Sequence, residues 1–293
     1  MDLPLVKGRL ERDYPLSKLN TWKIGGLGEL VFWPAAREEL VAMFKWCLKT
    51  KQRVFLLGRG SNVLLPDEKL PGVIIVTTGL KRITWEAGGV TCEAGYSLMR
   101  LAREAAERGL SGLEFAAGIP GTVGAAIAIN AGAYNGETGR LVERVLALTP
   151  EGELLNLAAS ELKFGYRNSS LLENNCFVLE GTLKLTTGGE SRAIKKNMQD
   201  LTARRREVQP LEYPNGGSVF RNPAGHSAGE LIELAGWKGR RLGDAQVSAK
   251  HANFIVNRGN AKAAEVLSLI QAIQEDVKAK FRINLETEVR IIT

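Results

Sequence analysis

Residues 114–134 read EFAAGIPGTVGAAIAINAGAY, and this stretch is the most informative part of the chain for its fold. It has no ionised side chain after Glu114, and few of its side chains are larger than isoleucine. Glycine recurs at every third position from Gly118 to Gly124, and Pro120 stiffens the turn between the first two. Without a Cβ, backbone N–H groups can approach an anionic ligand closely. The stretch therefore suits a cradle for a diphosphate, with a buried, alanine-rich turn between sheets as the alternative.

A second glycine-rich turn follows the apolar segment 54–57. It reads GRGSN at residues 58–62, where Ser61 and Asn62 can donate hydrogen bonds to phosphate oxygens. The turn does not match G-x-G-x-x-G, and the following VLLP at 63–66 is typical of extended chain, so Rossmann and P-loop assignments fail. Two such loops in one non-Rossmann domain suggest a dinucleotide such as FAD lying across the domain.

The composition is that of a globular protein. The chain has 293 residues, which favours two domains, and 44% hydrophobic with 24% charged residues argues against disorder. No apolar run reaches the roughly 18 residues of a membrane span, and the charged N-terminal segment lacks the apolar core of a signal peptide. We expect a cytoplasmic protein without membrane association.

Cysteine and histidine are scarce. The three cysteines are far apart and lack C-x-x-C spacing, so we expect reduced core thiols and neither disulfides nor a metal site. With only two histidines, none at metal-ligand spacing, catalysis should rest on other groups. The net charge of +7 suits a polyanionic small molecule or nucleic acid, but the basic clusters lack the interleaved aromatics of a nucleic-acid surface.

Helical and strand patterns are mixed without a regular β-α-β alternation, which indicates an α+β fold. The linker-like TTGGES at 186–191 places a domain boundary near residue 195, giving domains 1–195 and 196–293. Apolar spacing predicts helices at 36–50, 98–108 after the N-cap Ser97, 192–208, 228–234 and 261–281. Short apolar or alternating runs predict strands at 54–57, 73–76, 83–85, 90–92, 142–148, 153–157, 176–185 and 288–292.

Several motifs occur in a fixed order along the chain. They are GRGSN at 58–62, GIPGTVG at 118–124 with NAGAY at 130–134, FGYRNS at 164–169, GSVFRNP at 217–223, HANFIVN at 251–257 and LETEVR at 285–290. Together they closely resemble the UDP-N-acetylenolpyruvoylglucosamine reductase family over nearly the whole chain. The compact length is similar to the shorter type of this family, which lacks an extra substrate-capping loop.

The resemblance implies a cytoplasmic flavoenzyme of peptidoglycan synthesis, serving cell-wall biogenesis, cell shape, the cell cycle and cell division. NADPH would reduce FAD, which would reduce the enolpyruvyl ether of a UDP-sugar to the lactyl ether of UDP-N-acetylmuramate. The implied fold is α+β, with a vanillyl-alcohol-oxidase-type FAD-binding domain of two small α+β subdomains followed by a smaller α+β substrate-binding domain. We expect a monomer, and noncovalent FAD because no histidine precedes His226.

The resemblance also assigns site residues. Arg167 would bind the substrate carboxylate, Glu288 would stabilise the enolate-like intermediate, and Ser218 would deliver a proton to C2. Binding of substrate carboxylate or diphosphate is expected at Tyr166, Asn222 and Arg290. The expected FAD-binding residues are Gly58, Arg59, Gly60, Ser61, Asn62, Gly118, Ile119, Pro120, Gly121, Thr122, Val123, Gly124, Asn130 and Gly132.

Alternatives stay open for single residues and for the reaction. Arg290 could form a surface ion pair and Tyr166 could be a packing residue, while His251 is expected to be structural. Arg204, Arg205 and Arg221 are unranked candidates for the UDP diphosphate. Where relatives commonly have glycine this chain has Ala125, which would cost about 1 kcal/mol if the position needs positive φ. The alternative reaction is that of another FAD-dependent oxidoreductase of this fold, such as a sugar or lactone oxidase.

Overall fold

The computed structural model describes residues 3–293 and contains helices and strands throughout. The α-helices are α1 (Arg37–Thr50), α2 (Leu98–Glu107), α3 (Val123–Ala128), α4 (Ser170–Glu173), α5 (Ser191–Val208), α6 (Ala228–Leu234) and α7 (Ala263–Phe281). Short 3-10 helices span Leu16–Leu19, Thr77–Gly79, Glu114–Gly118, Thr138–Arg140 and Ala159–Glu161.

The strands are short, and most belong to antiparallel pairs. They are β1 (Arg9–Pro15), β2 (Leu27–Trp33), β3 (Val54–Leu57), β4 (Val63–Leu64), β5 (Leu70–Val76), β6 (Ile83–Glu86), β7 (Gly89–Glu93), β8 (Gly132–Ala133), β9 (Gly136–Glu137), β10 (Val142–Leu148), β11 (Leu154–Ala158), β12 (Phe164–Gly165), β13 (Asn168–Ser169), β14 (Phe177–Lys184), β15 (Arg241–Leu242), β16 (Ala245–Val247), β17 (Ile255–Asn257) and β18 (Arg290–Ile291).

The chain divides into two compact units that are not continuous in sequence. The first unit holds residues up to Arg12, residues 30–59 and residues 72–204, and the second holds residues 13–29, 60–71 and 205–293. The second unit thus includes segments 13–29 and 60–71, which the predicted division at residue 195 assigned to the first domain. Helix α5 runs without a break through residues 195 and 196. The division into an FAD domain and a substrate domain at that point stays a prediction.

The larger sheet of the first unit is five-stranded and antiparallel, in the order β11-β10-β14-β7-β6. Helices α2 and α3 bury their apolar residues, among them Leu101 and Ile127, in the same core as this sheet. A Cβ on Gly181 of β14 would lie 2.3 Å from Ile127 Cδ1, so α3 packs closely on this strand. Helix α3, which lies within the glycine-rich stretch 114–134, therefore packs directly on this sheet.

A second, four-stranded sheet has the order β1-β2-β5-β3, with β3 and β5 parallel. Helix α1 shares a core with this sheet that includes Phe32, Met43 and Ile75. Strand β3 ends at Leu57, immediately before the glycine-rich residues 58–62. The sheet therefore fixes the point from which that loop starts.

The second unit has one apolar core, to which α6, α7 and the sheet β15-β16-β17 contribute. Trp22 belongs to this core and is completely buried. The carboxylate of Asp67 accepts hydrogen bonds from the N–H groups of Ala263 at 2.8 Å and Ala264 at 3.0 Å, at the start of α7. Segments 13–29 and 60–71 are thus integral to this unit.

Within residues 3–293, no helix combines the length and apolarity needed to cross a membrane. The same part of the chain has no group of three or more His, Cys, Asp or Glu side chains that could hold a metal ion. None of the cysteines is in a disulfide; Cys47 and Cys92 are buried as predicted, whereas Cys176 is only partly buried. Burial raises the pKa of the Cys47 thiol to about 11 and that of Cys92 to about 12, so both are inert thiols.

Candidate functional site

The two glycine-rich loops meet in the first unit. A Cβ built on Gly58 would lie 2.6 Å from Thr122 Oγ1 and 3.3 Å from Thr122 Cγ2, and Thr122 is almost completely buried. Only glycine at position 58 allows this approach. The loops predicted to share one dinucleotide are therefore neighbours, although they are far apart in sequence.

Residues 58–62, here called the 58–62 loop, contain backbone N–H groups that could donate hydrogen bonds to a ligand. Within residues 3–293, the N–H groups of residues 59–62 donate no hydrogen bond to the protein. Gly60 has φ +63°, and a Cβ on it would lie 2.1 Å from the carbonyl oxygen of Leu19, so this glycine is required by chain packing. A turn of neighbouring, unused N–H groups fits the phosphates of FAD.

Residues 118–124, here called the 118–124 loop, lead into α3, whose first N–H groups are already bonded. Val123 N–H donates to Tyr96 O and Gly124 N–H donates to Ala94 O, each at 2.9 Å. A Cβ on Gly124 would lie 2.5 Å from Ala94 Cβ, so this glycine serves close packing of the helix. That Val123 and Gly124 bind FAD stays a prediction, and their N–H groups are not available for it.

Ala125 lies within α3 and its side chain is exposed. Its φ is not among the positive values in the described chain, so alanine brings no backbone strain. The condition under which alanine would be strained is therefore not met, because position 125 is an ordinary outward-facing helical position.

Asn130 and Gly132 organise the chain after α3. Asn130 has φ +48°, is buried, and donates from Nδ2 to Gly165 O at 2.9 Å, while its Oδ1 accepts from Gly139 N–H at 2.8 Å. Gly132 O accepts a hydrogen bond from Arg167 Nη1 at 2.9 Å. These bonds hold the predicted carboxylate-binding arginine beside the end of the glycine-rich stretch.

Tyr166 and Arg167 form the two-residue tip of the hairpin β12–β13. Arg167 has φ +54°, a left-handed conformation that costs a non-glycine residue about 1 kcal/mol or more. Its guanidinium carbon lies 5.6 Å from the ring centroid of Tyr166, which is 57% exposed. Such exposure disfavours a packing role for Tyr166, and binding of substrate by Tyr166 and Arg167 stays a prediction.

In the second unit, residues 218–221, here called the Ser218 segment, lie between two other parts of the chain, the turn at residues 252–253 and residues 286–289. On one side, Val219 N–H donates to Asn253 O at 2.9 Å. On the other, Glu288 N–H donates to Val219 O at 2.7 Å, and Phe220 forms a β-bridge with Thr287. Ser218 and Glu288 are thereby brought to neighbouring backbone positions.

The end of the 58–62 loop reaches the same place. Asn62 Nδ2 donates to Glu288 O at 3.1 Å, and Arg290 N–H donates to Asn62 O at 3.1 Å. Arg290 then pairs with Val63 in the parallel ladder of β18 and β4, with its side chain exposed. Part of the predicted FAD loop and part of the predicted catalytic set therefore share one backbone framework.

Asn222 has a structural bond of its own. Its Oδ1 accepts from Ala228 N–H at 3.0 Å, at the start of α6. The predicted site residues thus divide by unit: Arg167 and Tyr166 belong to the first, and Ser218, Asn222, Glu288 and Arg290 to the second. Binding of substrate by these residues stays a prediction.

His251 is placed as a structural residue. Its Nδ1 accepts a hydrogen bond from Asn253 N–H at 3.2 Å, so the neutral ring carries its proton on Nε2. Burial, and next the positive charge of Lys238, lowers the pKa of His251, while Glu233 opposes this effect. The ring packs on Phe254 with centroids 4.9 Å apart.

The sequence patterns do not single out the groups that hold the Ser218 segment. Asn253 is 4% exposed, and its side-chain amide forms two hydrogen bonds with the backbone of Phe220, at 2.9 Å and 2.8 Å. Thr21 bonds to the carbonyl oxygen of Asn215 at 2.6 Å. Asparagine or threonine in a turn has many uses, and only the long-range contacts reveal these.

Comparisons with known proteins agree with this architecture. Residues 28–158 match the family model described as "FAD binding domain", and residues 209–292 match "UDP-N-acetylenolpyruvoylglucosamine reductase, C-terminal domain". The reductase of that name from Clostridium tetani is 43% identical over 93% of this chain and 88% of its own length. The one from Clostridium novyi is 40% identical over 98% and 94%.

A solved structure extends the likeness to three dimensions. The crystal structure of UDP-N-acetylenolpyruvylglucosamine reductase from Thermus caldophilus has a TM-score of 0.82 and 34% identity, covering 99% of this chain and all of that one. The predicted α+β fold, with an FAD-binding domain followed by a smaller domain, is confirmed, and so is FAD as the cofactor.

Proposed function

Because this chain belongs to the UDP-N-acetylenolpyruvoylglucosamine reductase family, we propose that it uses NADPH to reduce UDP-N-acetylglucosamine enolpyruvate to UDP-N-acetylmuramate. It is an FAD-dependent oxidoreductase of peptidoglycan precursor synthesis. The observation that carries the proposal is the 2.7 Å hydrogen bond from Glu288 N–H to Val219 O, which places Ser218 beside Glu288 on adjoining chain.

The 58–62 loop and residues 118–122 would hold FAD. The N–H groups of residues 59–62 donate no hydrogen bond within residues 3–293, and Gly58 allows the contact with Thr122. When bound, FAD would supply the redox chemistry, accepting electrons from NADPH and providing a hydride for C3 of the enolpyruvyl group. The loops contribute orientation and hydrogen bonds to the phosphates.

Arg167 binds the carboxylate of the enolpyruvyl group. Its guanidinium presents a planar fork that matches two carboxylate oxygens, and the left-handed backbone at the hairpin tip fixes the root of the side chain. Negative charge grows on this carboxylate as C3 is reduced. An arginine already in place stabilises that charge more in the transition state than in the ground state.

Glu288 and Ser218 complete the reaction. Glu288, in its acid form, donates a hydrogen bond to the enolate-like intermediate, and the Ser218 hydroxyl gives its proton to C2. A serine is a weak acid, so this transfer needs its hydroxyl held precisely and its alkoxide stabilised by neighbouring charge. Gly217, with φ +80°, provides the turn into Ser218.

The substrate nucleotide-sugar and NADPH are small molecules, and we propose that the enzyme acts on them in the cytoplasm as a monomer. Nucleic acid and membrane lipid have no part in this proposal. Sedimentation of the FAD-loaded protein over a range of concentrations tests the oligomeric state. A monomer predicts one sedimentation coefficient throughout, and a concentration-dependent increase would contradict it.

The reaction is tested by flavin absorbance under anaerobic conditions. Addition of NADPH should bleach the flavin band, and subsequent addition of UDP-N-acetylglucosamine enolpyruvate should restore it while UDP-N-acetylmuramate forms. Bleaching without recovery would contradict the proposed acceptor. Recovery that requires oxygen and ignores the enolpyruvyl substrate would instead indicate an oxidase.

A further inference from the structure

Thr21 contacts two loops of the proposed site at once. Its backbone N–H donates to Gly60 O at 3.1 Å, and its Oγ1 hydroxyl donates to Asn215 O at 2.6 Å. Gly60 belongs to the 58–62 loop, and Asn215 belongs to the turn that leads into Ser218. Thr21, which is not one of the proposed reacting groups, thus contacts both the proposed FAD loop and the turn that carries the proposed proton donor.

The neighbours of Thr21 fix it in place. Trp22 is completely buried and donates from Nε1 to Ile255 O at 2.8 Å, while its carbonyl oxygen accepts from Asn257 Nδ2 at 3.0 Å. Asn20 is 8% exposed and donates from Nδ2 to two carbonyl oxygens, those of Leu16 and Ile24. Thr21 therefore sits on a turn whose two flanking residues are both anchored by buried hydrogen bonds.

The turn that precedes Ser218 depends on this anchor. Asn215 Oδ1 accepts from Gly217 N–H at 3.0 Å, so the side chain closes the turn across Gly216. A Cβ on Gly216 would lie 2.7 Å from Trp22 Cε3, which shows that the turn rests on the indole ring. The Thr21 hydroxyl therefore holds the carbonyl oxygen of Asn215 at the start of the turn, and the indole ring supports Gly216 in its middle. Ser218 follows directly after this turn.

The 58–62 loop is coupled to the same anchor from the other side. Gly60 O accepts from the Thr21 N–H, and two residues later Asn62 Nδ2 donates to Glu288 O at 3.1 Å. A shift of the Thr21 turn would therefore reach the Ser218 turn, the 58–62 loop and Glu288 together. Displacements of about 1 Å can cost on the order of a hundredfold in rate.

We propose that Thr21 is a positioning residue, which holds the Ser218 turn in register with the 58–62 loop for protonation of the substrate. This role rests on the proposed function, in which Ser218 is the proton donor. The hydroxyl bond to Asn215 is the specific element, because the backbone N–H bond to Gly60 survives any substitution except proline.

The test compares Thr21→Val, which keeps the shape and removes the hydroxyl, with Thr21→Ser, which restores it. Thr50→Val is the matched control, since Thr50 Oγ1 also donates to a carbonyl oxygen, that of Trp46 at 2.8 Å, at the end of α1. In the FAD-loaded full chain, we expect Thr21→Val to slow substrate-driven flavin reoxidation about tenfold. Flavin reduction by NADPH should stay within about twofold, and Thr21→Ser should restore reoxidation to within about twofold.

Hydrogen–deuterium exchange supplies a readout that needs no substrate. Thr21→Val should speed exchange of the N–H groups in residues 215–219, and neither Thr21→Ser nor Thr50→Val should do so. Unchanged exchange in Thr21→Val, or failure of Thr21→Ser to restore reoxidation, would overturn the inference. If the unsubstituted enzyme itself failed to reoxidise with substrate, the proposed function would fall, and the exchange result would still decide whether Thr21 holds this turn.

Discussion

Glu288 N–H donates a hydrogen bond to Val219 O at 2.7 Å, and this bond joins two stretches that are far apart in sequence. Val219 N–H donates to Asn253 O at 2.9 Å, so the backbone of the Ser218 segment is hydrogen-bonded to two separate parts of the chain. A backbone fixed in this way gives a serine hydroxyl a defined position. Such preorganisation is what a weak acid needs in order to deliver a proton.

Gly58→Ala should weaken FAD binding. The new Cβ would lie 2.6 Å from Thr122 Oγ1, and overpacking of this kind costs about 1–3 kcal/mol. If the loops must separate to relieve the clash, the dissociation constant for FAD should rise about tenfold to a hundredfold. Equilibrium titration of the apoprotein with FAD, followed by flavin fluorescence, measures this change.

A double variant tests whether the clash with Thr122 causes the weaker FAD binding. Thr122→Ala removes the clashing hydroxyl, so Gly58→Ala/Thr122→Ala should bind FAD better than Gly58→Ala alone. Gly165→Ala is the matched control, because a Cβ at Gly165 meets nothing within 4 Å. Equal binding by the single and double variants would show that contact between these loops is not the reason for glycine at position 58.

Ala125→Gly should destabilise the protein and leave FAD binding unchanged. Ala125 is exposed within α3, and glycine in a helix interior costs about 1 kcal/mol relative to alanine. Thermal unfolding and FAD titration of the same preparation give both quantities. Tighter FAD binding without loss of stability would mean that the alanine methyl does crowd the cofactor.

Arg167→Lys should impair the second half-reaction selectively. Lysine keeps the positive charge but loses the planar fork and the Nη1 bond to Gly132 O. We expect flavin reoxidation by substrate to slow about tenfold or more, with reduction by NADPH within about twofold. Arg140→Lys, at an exposed arginine paired with Glu137, is the control for a lysine substitution. A slower first half-reaction would place Arg167 in NADPH binding instead.

Stability should fall in mildly acidic solution because of His251. Burial, and next Lys238, lowers the pKa of His251 in the folded state below its ordinary value of 6.5. The unfolded chain then binds the proton more readily than the folded protein. The contribution of neutral His251 to the free energy of unfolding is therefore fully present above about pH 6.5, and it declines as the pH falls toward the lowered pKa. Protonation also removes the Nδ1 acceptor of Asn253 N–H.

Melting temperatures measured between about pH 7.5 and about pH 5.5 test this dependence. His251→Gln should flatten the decline in this range, whereas His226→Gln, at the exposed histidine, should not. An equal decline in the parent and in His251→Gln would assign the effect to other groups.

Local patterns in the sequence predicted many elements well. The helix predicted at 228–234 has these bounds in the structure, and the one predicted at 36–50 is α1, Arg37–Thr50. Apolar spacing and caps act within a few residues, so they are legible in the sequence; Ser97, for example, accepts from Arg100 N–H as an N-cap should. Strand β1, Arg9–Pro15, lacks such a signal because it reads RLERDYP, which is mostly charged.

Long-range contacts determine the features that local sequence patterns did not predict. The final strand was predicted at 288–292 but is limited to Arg290–Ile291, since the N–H groups of Glu288 and Val289 both bond to Val219 O. The glycines of the two loops were attributed to a ligand, yet Gly60 and Gly124 are required by Leu19 and Ala94. The motifs indicated where the candidate site lies. The structure explains why particular residue types, such as the glycines, occur in them.

The most direct test of the central claim, that Ser218 protonates the reduced substrate, is the pair of half-reactions of Ser218→Ala. Stopped-flow absorbance should show flavin reduction by NADPH within about twofold of the parent rate. Reoxidation by UDP-N-acetylglucosamine enolpyruvate should be slower by about a hundredfold to ten-thousandfold, as expected for loss of a general acid. Reoxidation at the parent rate, or loss of the reduction step instead, would contradict the account.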